Sequence, residues 1–150
     1  MESTLEKRVF LNESFSTQEE VFKFLSNAVV KNGYADDATA VNSALHRREE
    51  EGTTGMMDGF AIPHAKSKSI SQANIVIVKL TRSIEWEAMD EKPIDFIVAL
   101  FIPEKGKGTV HLTVLSKVAR MLMKETVRDQ LRQAQTEEQI DTILNDYIFN

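Results

Sequence analysis

The stretch IDFIVALFI, residues 94–102, decides the fold because every residue in it except Asp95 is apolar. A strand with one face in water alternates apolar and polar residues, whereas a strand buried on both faces is almost continuously apolar. This run therefore predicts a strand inside a sheet that is covered by helices on both faces. The stretches VFLN (9–12), FAIP (60–63) and ANIVIVKL (73–80) predict further strands, the first of them at an edge.

Helical periodicity is found on both sides of these strands. Residues 16–34 predict a helix that begins with a capping box of Ser16 and Glu19. A second helix is predicted from Asp36 or Asp37 through ATAVNSALHRREE, residues 38–50, with Arg47 and Arg48 at its C-terminal end. One long helix and two shorter ones are predicted after the turn PEKGKG. The expected fold is an α/β sandwich, a mixed and roughly five-stranded sheet with helices on both faces.

Length and composition exclude several classes of protein. A chain of 150 residues with 42% hydrophobic content is expected to form one domain over residues 1–150. The absence of cysteine excludes disulfides and thiol nucleophiles within this chain. A net charge of -5 argues against nucleic acid as a partner. No apolar run has the length of a membrane span, so we expect a cytoplasmic protein without membrane insertion.

The stretch GFAIPHAKSKSI, residues 59–70, carries one of only three histidines. His64 follows Pro63, which restricts the backbone, and comes just after the glycine-rich loop of residues 51–59. We expect His64 where a central strand leaves the sheet, because active groups concentrate at such strand ends. A modified residue, a metal ligand and a histidine that merely bonds a backbone carbonyl are the three interpretations.

The other two histidines differ in their surroundings. His111 lies in the first turn of a predicted helix, where unpaired N–H groups attract anions and keep an adjacent imidazole neutral. A polar first-turn residue without function is the alternative for His111. His46 lies within a predicted helix and is interpreted as a packing or surface residue.

Phosphoryl transfer is the chemistry that this set of residues fits. A neutral imidazole can act as the nucleophile, while arginine and N–H groups receive the phosphoryl oxygens. A catalytic zinc site normally has three protein ligands, and the spacing H-E-x-x-H is absent. The nucleophile motif G-x-S-x-G of a serine hydrolase is absent as well. The sequence therefore predicts neither a metal nor another cofactor.

Three segments together resemble the signature segments of the fructose/mannitol-type IIA component of the bacterial phosphoenolpyruvate-dependent sugar phosphotransferase system. They are REEEGTTG (48–55), GFAIPHAK (59–66) and HLTVLSKVARML (111–122). Their order and intervals are similar to those of the family, and the resemblance extends over nearly the whole chain. It implies a phosphotransferase that acts in sugar transport through a phosphohistidine.

The resemblance also implies a role for individual residues. His64 would accept a phosphoryl group from the phosphohistidine of the carrier protein HPr and pass it to a IIB component, which works with a membrane IIC partner. His111 would lie beside the phosphorylated ring, and Arg48 would face the phosphoryl oxygens. The alternative is a regulatory protein of the nitrogen-related branch, which would use the same histidine but act by phosphorylation-dependent binding.

Overall fold

The computed structural model describes residues 5–104 and 108–148, with the side chains of residues 5–104 and 113–148. Within these ranges the strands are β1 (Glu6–Glu13), β2 (Phe60–Ala61), β3 (His64–Ser67), β4 (Asn74–Ile84) and β5 (Ile94–Pro103). The helices are α1 (Gln18–Lys31), α2 (Ala38–Glu51), α3 (Gly108–Leu122), α4 (Glu125–Gln133) and α5 (Glu137–Tyr147).

The strands form one mixed sheet in the order β1-β4-β5-β2, with β3 also paired to β5. β1 is parallel to β4, β4 is antiparallel to β5, and both β2 and β3 are parallel to β5. The apolar stretch of residues 94–102 is thus an interior strand, as predicted, and β1 lies at an edge. The prediction of a five-stranded mixed sheet between helices is confirmed.

Two hydrophobic cores lie on opposite faces of the sheet. Successive side chains of a strand point to opposite faces, so Ile97 of β5 enters one core and Val98 enters the other. The first core is formed with α1 and α2, through residues such as Phe22 and Leu45. The second is formed with α3, α4 and α5. Apart from Asp95, β5 is apolar because both of its faces are covered.

The start of α1 corrects the predicted capping box of Ser16 and Glu19. The N-cap is Thr17, whose hydroxyl accepts from Glu20 N at 3.1 Å, while Glu20 Oε1 accepts from Thr17 N at 3.2 Å. The stretch STQEE contains two overlapping capping patterns, one residue apart. Phe15, before the cap, packs against Phe24 at 5.1 Å between ring centroids. This contact is present together with the capping box of Thr17 and Glu20.

The strand that carries His64 also differs from its prediction. β2 and β3 keep one register against β5, with Phe60 opposite Phe96 and His64 opposite Leu100. They are two parts of one edge strand, interrupted at Pro63 because proline has no N–H group to give to the ladder. His64 therefore begins β3 on the edge of the sheet and does not end a central strand. Nothing in the described sheet pairs with β3 on its outer side.

Candidate functional site

Arg48 and His64 are in direct contact. Arg48 lies in the last turn of α2, and its Nε donates to His64 Nε2 at 3.0 Å. Its Nη1 donates to the carbonyl oxygen of Gly52 at 2.7 Å. Gly52 ends α2 with a φ of 155°, a backbone angle that residues other than glycine rarely adopt. The helix end thus aims the guanidinium at the imidazole and holds it from the other side.

The hydrogen bonds of His64 define its tautomer. Nδ1 lies 3.0 Å from the carbonyl oxygen of Ile62, which can only accept, so Nδ1 carries the proton. Nε2 accepts from Arg48 and is therefore the unprotonated nitrogen, which carries the nucleophilic electron pair. Burial lowers the pKa of His64 below its ordinary value of 6.5; the Ile62 carbonyl opposes this shift and the Arg48 charge adds to it. The ring is neutral at neutral pH.

Glu49 and Thr54, which sequence reasoning did not select, connect the helix end to the glycine-rich loop. The Glu49 carboxylate accepts from Thr54 N at 3.0 Å and from the Thr54 hydroxyl at 2.6 Å. Thr54 is 3% exposed, and its carbonyl accepts from Ile62 N at 3.0 Å. Both residues belong to the stretch REEEGTTG, but their spacing matches no familiar motif. Only the folded loop reveals that they meet.

A second segment, residues 86–90, packs against the glycine-rich loop. The Thr53 hydroxyl donates to the Glu87 carbonyl, and Gly55 forms bridges to Ala61 and to Ala88. A Cβ at Gly55 would collide with the Glu87 carbonyl oxygen and lie 2.9 Å from the Cα of Ala88. Glycine is therefore required at position 55 so that the two backbones can approach each other.

The far end of the loop is anchored to α4. Asp58 and Gly59 have φ values of 59° and 85°, the two successive positive angles of a type I′ turn. The Asp58 carboxylate accepts from Arg128 Nε at 3.1 Å. Arg132 Nη1 donates to both carboxylate oxygens of Asp95 at 2.9 and 2.8 Å. The loop is held at both ends, which restricts the backbone that leads to His64.

The remaining candidate residues are placed as follows. The side chain of His111 lies outside the described residues, although α3 spans its position. Arg47 is exposed. His46 and Phe22 pack edge to face, with 4.9 Å between ring centroids, and His46 Nε2 lies 3.9 Å from Glu19 Oε1. Within the described ranges, no three histidine or acidic side chains are grouped so as to hold a metal ion.

The arrangement favours a nucleophilic reaction with an anionic electrophile. Nδ1 is occupied, so an electrophile can be attacked only through Nε2. The guanidinium beside that nitrogen offers donors of the geometry that phosphate and carboxylate oxygens require. None of the helices in the described part of the chain is long and apolar enough to cross a membrane.

Comparison with known proteins identifies similar chains. Residues 3–147 match the family described as "Phosphoenolpyruvate-dependent sugar phosphotransferase system, EIIA 2". A fructose-specific EIIA component from Haloferax volcanii is 34% identical over 93% of this chain and 90% of its own length. Several longer relatives are matched over only 21% or 16% of their length.

Solved structures of similar proteins share the fold. The nitrogen regulatory protein IIA-Ntr from Neisseria meningitidis has a TM-score of 0.84 and 27% identity, over 91% of this chain and 92% of its own. A complex of mannitol IIA with phosphorylated mannitol IIB from Escherichia coli has a TM-score of 0.76 and 18% identity, over 93% of this chain and 94% of the other.

Proposed function

This chain belongs to the EIIA 2 family of the phosphoenolpyruvate-dependent sugar phosphotransferase system, and from that premise we propose that His64 carries the phosphoryl group. Members of the family are phosphotransferases that act through a phosphohistidine intermediate. The observation that supports His64 is its hydrogen bonding: Nδ1 is held by Ile62 and Nε2 faces Arg48. A neutral imidazole in this tautomer presents one nucleophilic electron pair in a defined direction.

The transfer is an in-line displacement at phosphorus. The electron pair of His64 Nε2 forms the new N–P bond, while the bond from phosphorus to the donor's imidazole breaks and its electrons return to that ring. The His64 proton stays on Nδ1, so the phosphorylated ring gains positive charge. The Ile62 carbonyl, 3.0 Å from Nδ1, stabilises that charge through its hydrogen bond.

Arg48 has to exchange one partner during the reaction. Its Nε–H occupies the electron pair that attacks phosphorus, so it must leave Nε2 before the new bond can form. The second hydrogen bond, from Nη1 to the Gly52 carbonyl, keeps the guanidinium close to the site meanwhile. The released N–H group can then donate to the phosphoryl oxygens and offset their charge in the transition state.

We propose His111 as a second donor to the phosphoryl oxygens. The resemblance of HLTVLSKVARML to the family's helix supports this role, and α3 begins at Gly108, which places position 111 in its first turn. The amino end of a helix attracts anions. His111 would assist the transfer without being phosphorylated itself.

The proposed partners are HPr as donor and a IIB component as acceptor, and the proposal places the exchange in the cytoplasm. The solved complex of mannitol IIA with phosphorylated mannitol IIB is one precedent for such an acceptor. A regulatory role is the second candidate, favoured by the similarity to a nitrogen regulatory IIA structure. Both candidates use the same phosphorylated histidine, so transfer to IIB distinguishes them.

The test uses the chain with phosphoenolpyruvate, enzyme I and HPr, followed by mapping of the phosphorylated residue. We expect acid-labile phosphate on His64, complete loss of it in His64→Ala, and retention in the matched control His46→Ala. Adding candidate IIB proteins should then discharge the phosphoprotein if the role is in transport. Undiminished phosphate in His64→Ala, or phosphate that maps to His111, would contradict the assignment.

A further inference from the structure

We propose that Glu49 is a positioning residue for phosphoryl transfer, because its carboxylate closes a ring of hydrogen bonds that holds Arg48 and His64 against each other. The inference rests on the proposed function, in which these two side chains react with and bind the phosphoryl group. The Glu49 carboxylate bonds Thr54 and forms no hydrogen bond with His64 in the described structure.

The ring can be followed from one side chain to the next. Arg48 Nε donates to His64 Nε2 at 3.0 Å, and His64 Nδ1 donates to the Ile62 carbonyl at 3.0 Å. Ile62 N donates to the Thr54 carbonyl at 3.0 Å. Thr54 N and its hydroxyl donate to the two oxygens of Glu49 at 3.0 and 2.6 Å. Glu49 follows Arg48 in α2, and this peptide link closes the ring.

In the described structure, Glu49 supplies both of the acceptors that the N–H and hydroxyl groups of Thr54 bond. Thr54 is 3% exposed, so water has little access to its N–H and hydroxyl groups. Loss of the carboxylate would leave two buried donors unsatisfied, and the loop would have to move to hydrate them. That movement would reach His64 directly, because the Thr54 carbonyl holds Ile62, and Ile62 holds the imidazole.

The ring also explains how Arg48 can change partners without loss of geometry. Phosphorylation requires only the bond between Arg48 and His64 Nε2 to open. The bonds of Glu49 to Thr54, of Ile62 to Thr54 and of His64 to Ile62 involve other atoms and remain in place. The imidazole is therefore held in one orientation before and after transfer, which keeps the reacting atoms aligned.

The key experiment compares Glu49→Ala with Glu49→Gln. An amide of the same shape can accept from Thr54 N through its oxygen and donate to the Thr54 hydroxyl through its nitrogen, so Gln preserves the ring without the charge. We expect Glu49→Gln to transfer phosphate within about 3-fold of the parent and Glu49→Ala to be about 10- to 100-fold slower at saturating phospho-HPr. The KM for phospho-HPr should change little, because the Glu49 carboxylate is bonded to the buried Thr54.

Two control variants distinguish the hydrogen bonds of the Glu49 carboxylate from the effect of its charge on His64. The charges of Glu49 and Glu51 both raise the pKa of His64, but Glu51 has no hydrogen bond to Thr54 in the described structure, so Glu51→Gln changes the electrostatics alone. Glu50→Ala, at an exposed position of the same helix turn, controls for general effects on α2. We expect both controls to transfer at the parent rate. A slow Glu49→Gln or Glu51→Gln would show that charge matters and would overturn the positioning role.

A second variant keeps the test valid if Glu49→Ala folds poorly. Thr54→Val has the same shape as threonine but cannot donate from its side chain, so it removes one of the two bonds to Glu49. We expect it to slow transfer, and the double variant Glu49→Ala/Thr54→Val to be no slower than Glu49→Ala alone, because the two residues act as one unit. Additive effects, or a Thr54→Val at the parent rate, would contradict the ring.

The ring is also measurable without phosphate. ¹⁵N NMR of the His64 imidazole reports which nitrogen carries the proton, and we expect the Nδ1–H tautomer in the parent and Glu49→Gln but a mixture in Glu49→Ala. An unchanged tautomer in Glu49→Ala would overturn the inference even if the proposed function holds. If phosphate maps elsewhere than His64, the proposed function fails, and the tautomer measurement still decides whether the ring exists.

Discussion

The chemical state of His64 is decided by its neighbours in space. Burial lowers its pKa, the Ile62 carbonyl fixes the proton on Nδ1, and Arg48 approaches Nε2. The interpretation of His64 as a histidine bonded to a backbone carbonyl and its interpretation as a modified residue are therefore compatible, because the carbonyl bond is what leaves Nε2 available.

Arg48 is tested by two substitutions. Arg48→Ala should slow single-turnover phosphorylation by roughly 10- to 1000-fold, since a charge-assisted donor to the phosphoryl oxygens is lost. Arg48→Lys should recover only part of the rate, because one ammonium cannot bridge His64 and Gly52 as the guanidinium does. Arg47→Ala, at the exposed neighbouring position, is the matched control. Equal rates for Arg47→Ala and Arg48→Ala would remove Arg48 from the mechanism.

The pH dependence of transfer follows from the lowered pKa of His64. Because burial and the Arg48 charge hold the pKa of His64 below its ordinary value of 6.5, the rate should fall with decreasing pH with an inflection below pH 6.5. Arg48→Ala removes one cause of the lowering, so the inflection should move upward. The transfer rate should be measured at pH values on both sides of 6.5. An inflection above pH 6.5 in the parent would contradict the lowered pKa of His64.

Protein stability should show the same shift. The unfolded chain takes up a proton on His64 as the pH falls through 6.5, while the folded chain does so only at its lower pKa. The unfolded state thus binds more protons in this interval, and the free energy of unfolding falls as the pH falls through it. Urea unfolding of the parent and of His64→Ala above and below this interval measures the effect. Equal pH dependence in both proteins would show that His64 does not contribute.

At the scale of elements, the edge strand of β2 and β3 shows how one residue shapes a site. Pro63 interrupts the ladder to β5 while the register continues on both sides of it. The carbonyl of Pro63 still accepts from Leu100 N at 3.0 Å, so the strand is held at the break. The interruption sets His64 at the start of β3, next to the loop and the end of α2.

The start of α1 provides a test at this scale. Thr17→Ala removes the side chain that accepts from Glu20 N, and we expect it to lower the free energy of unfolding by about 1 kcal/mol. Ser16→Ala should change it by less than about 0.5 kcal/mol, because the Ser16 side chain is not the cap. Chemical denaturation of the two variants shows which residue is the cap. A larger loss of stability in Ser16→Ala than in Thr17→Ala would support the capping box of Ser16 and Glu19 instead.

At the scale of the whole molecule, the two cores share the strand β5. Ile97 is 0% exposed in one core, and Leu100 is 3% exposed in the other. A defect on either face therefore affects the same strand, to which β2 and β3 are paired. We propose on this basis that residues 1–150 unfold as one cooperative domain.

This cooperativity is tested by substitutions on opposite faces of β5. Ile97→Ala and Leu100→Ala should each lower the free energy of unfolding by about 2–5 kcal/mol, as expected for a cavity in a packed core. Met89→Ala, at a side chain 66% exposed, should change it by less than about 0.5 kcal/mol. Each variant should unfold in a single transition by fluorescence and by circular dichroism. Two separate transitions would show that the faces are independent.

The sequence by itself determined the five helices, four of the five strands and the order of the candidate site residues along the chain, whereas β3 was not among its predicted strands. The apolar run of β5 and the periodicity of the helices are local patterns, because burial on one or both faces selects residue types at fixed spacing. Pro63 could be recognised because proline restricts the backbone before His64, whereas the role of Arg48 was implied by the resemblance of REEEGTTG to a signature segment of the family.

Only the tertiary structure decided how these parts meet. The frame of the α1 cap, the edge position of β3 and the contact of Arg48 with His64 depend on packing between segments that are separate in sequence. The tautomer of His64 and the bonds of Glu49 to Thr54 depend on loop backbone geometry, which has no periodic pattern to reveal it. Local spacing encodes which side chains face a core, whereas hydrogen bonds across a site require the positions of all its segments at once.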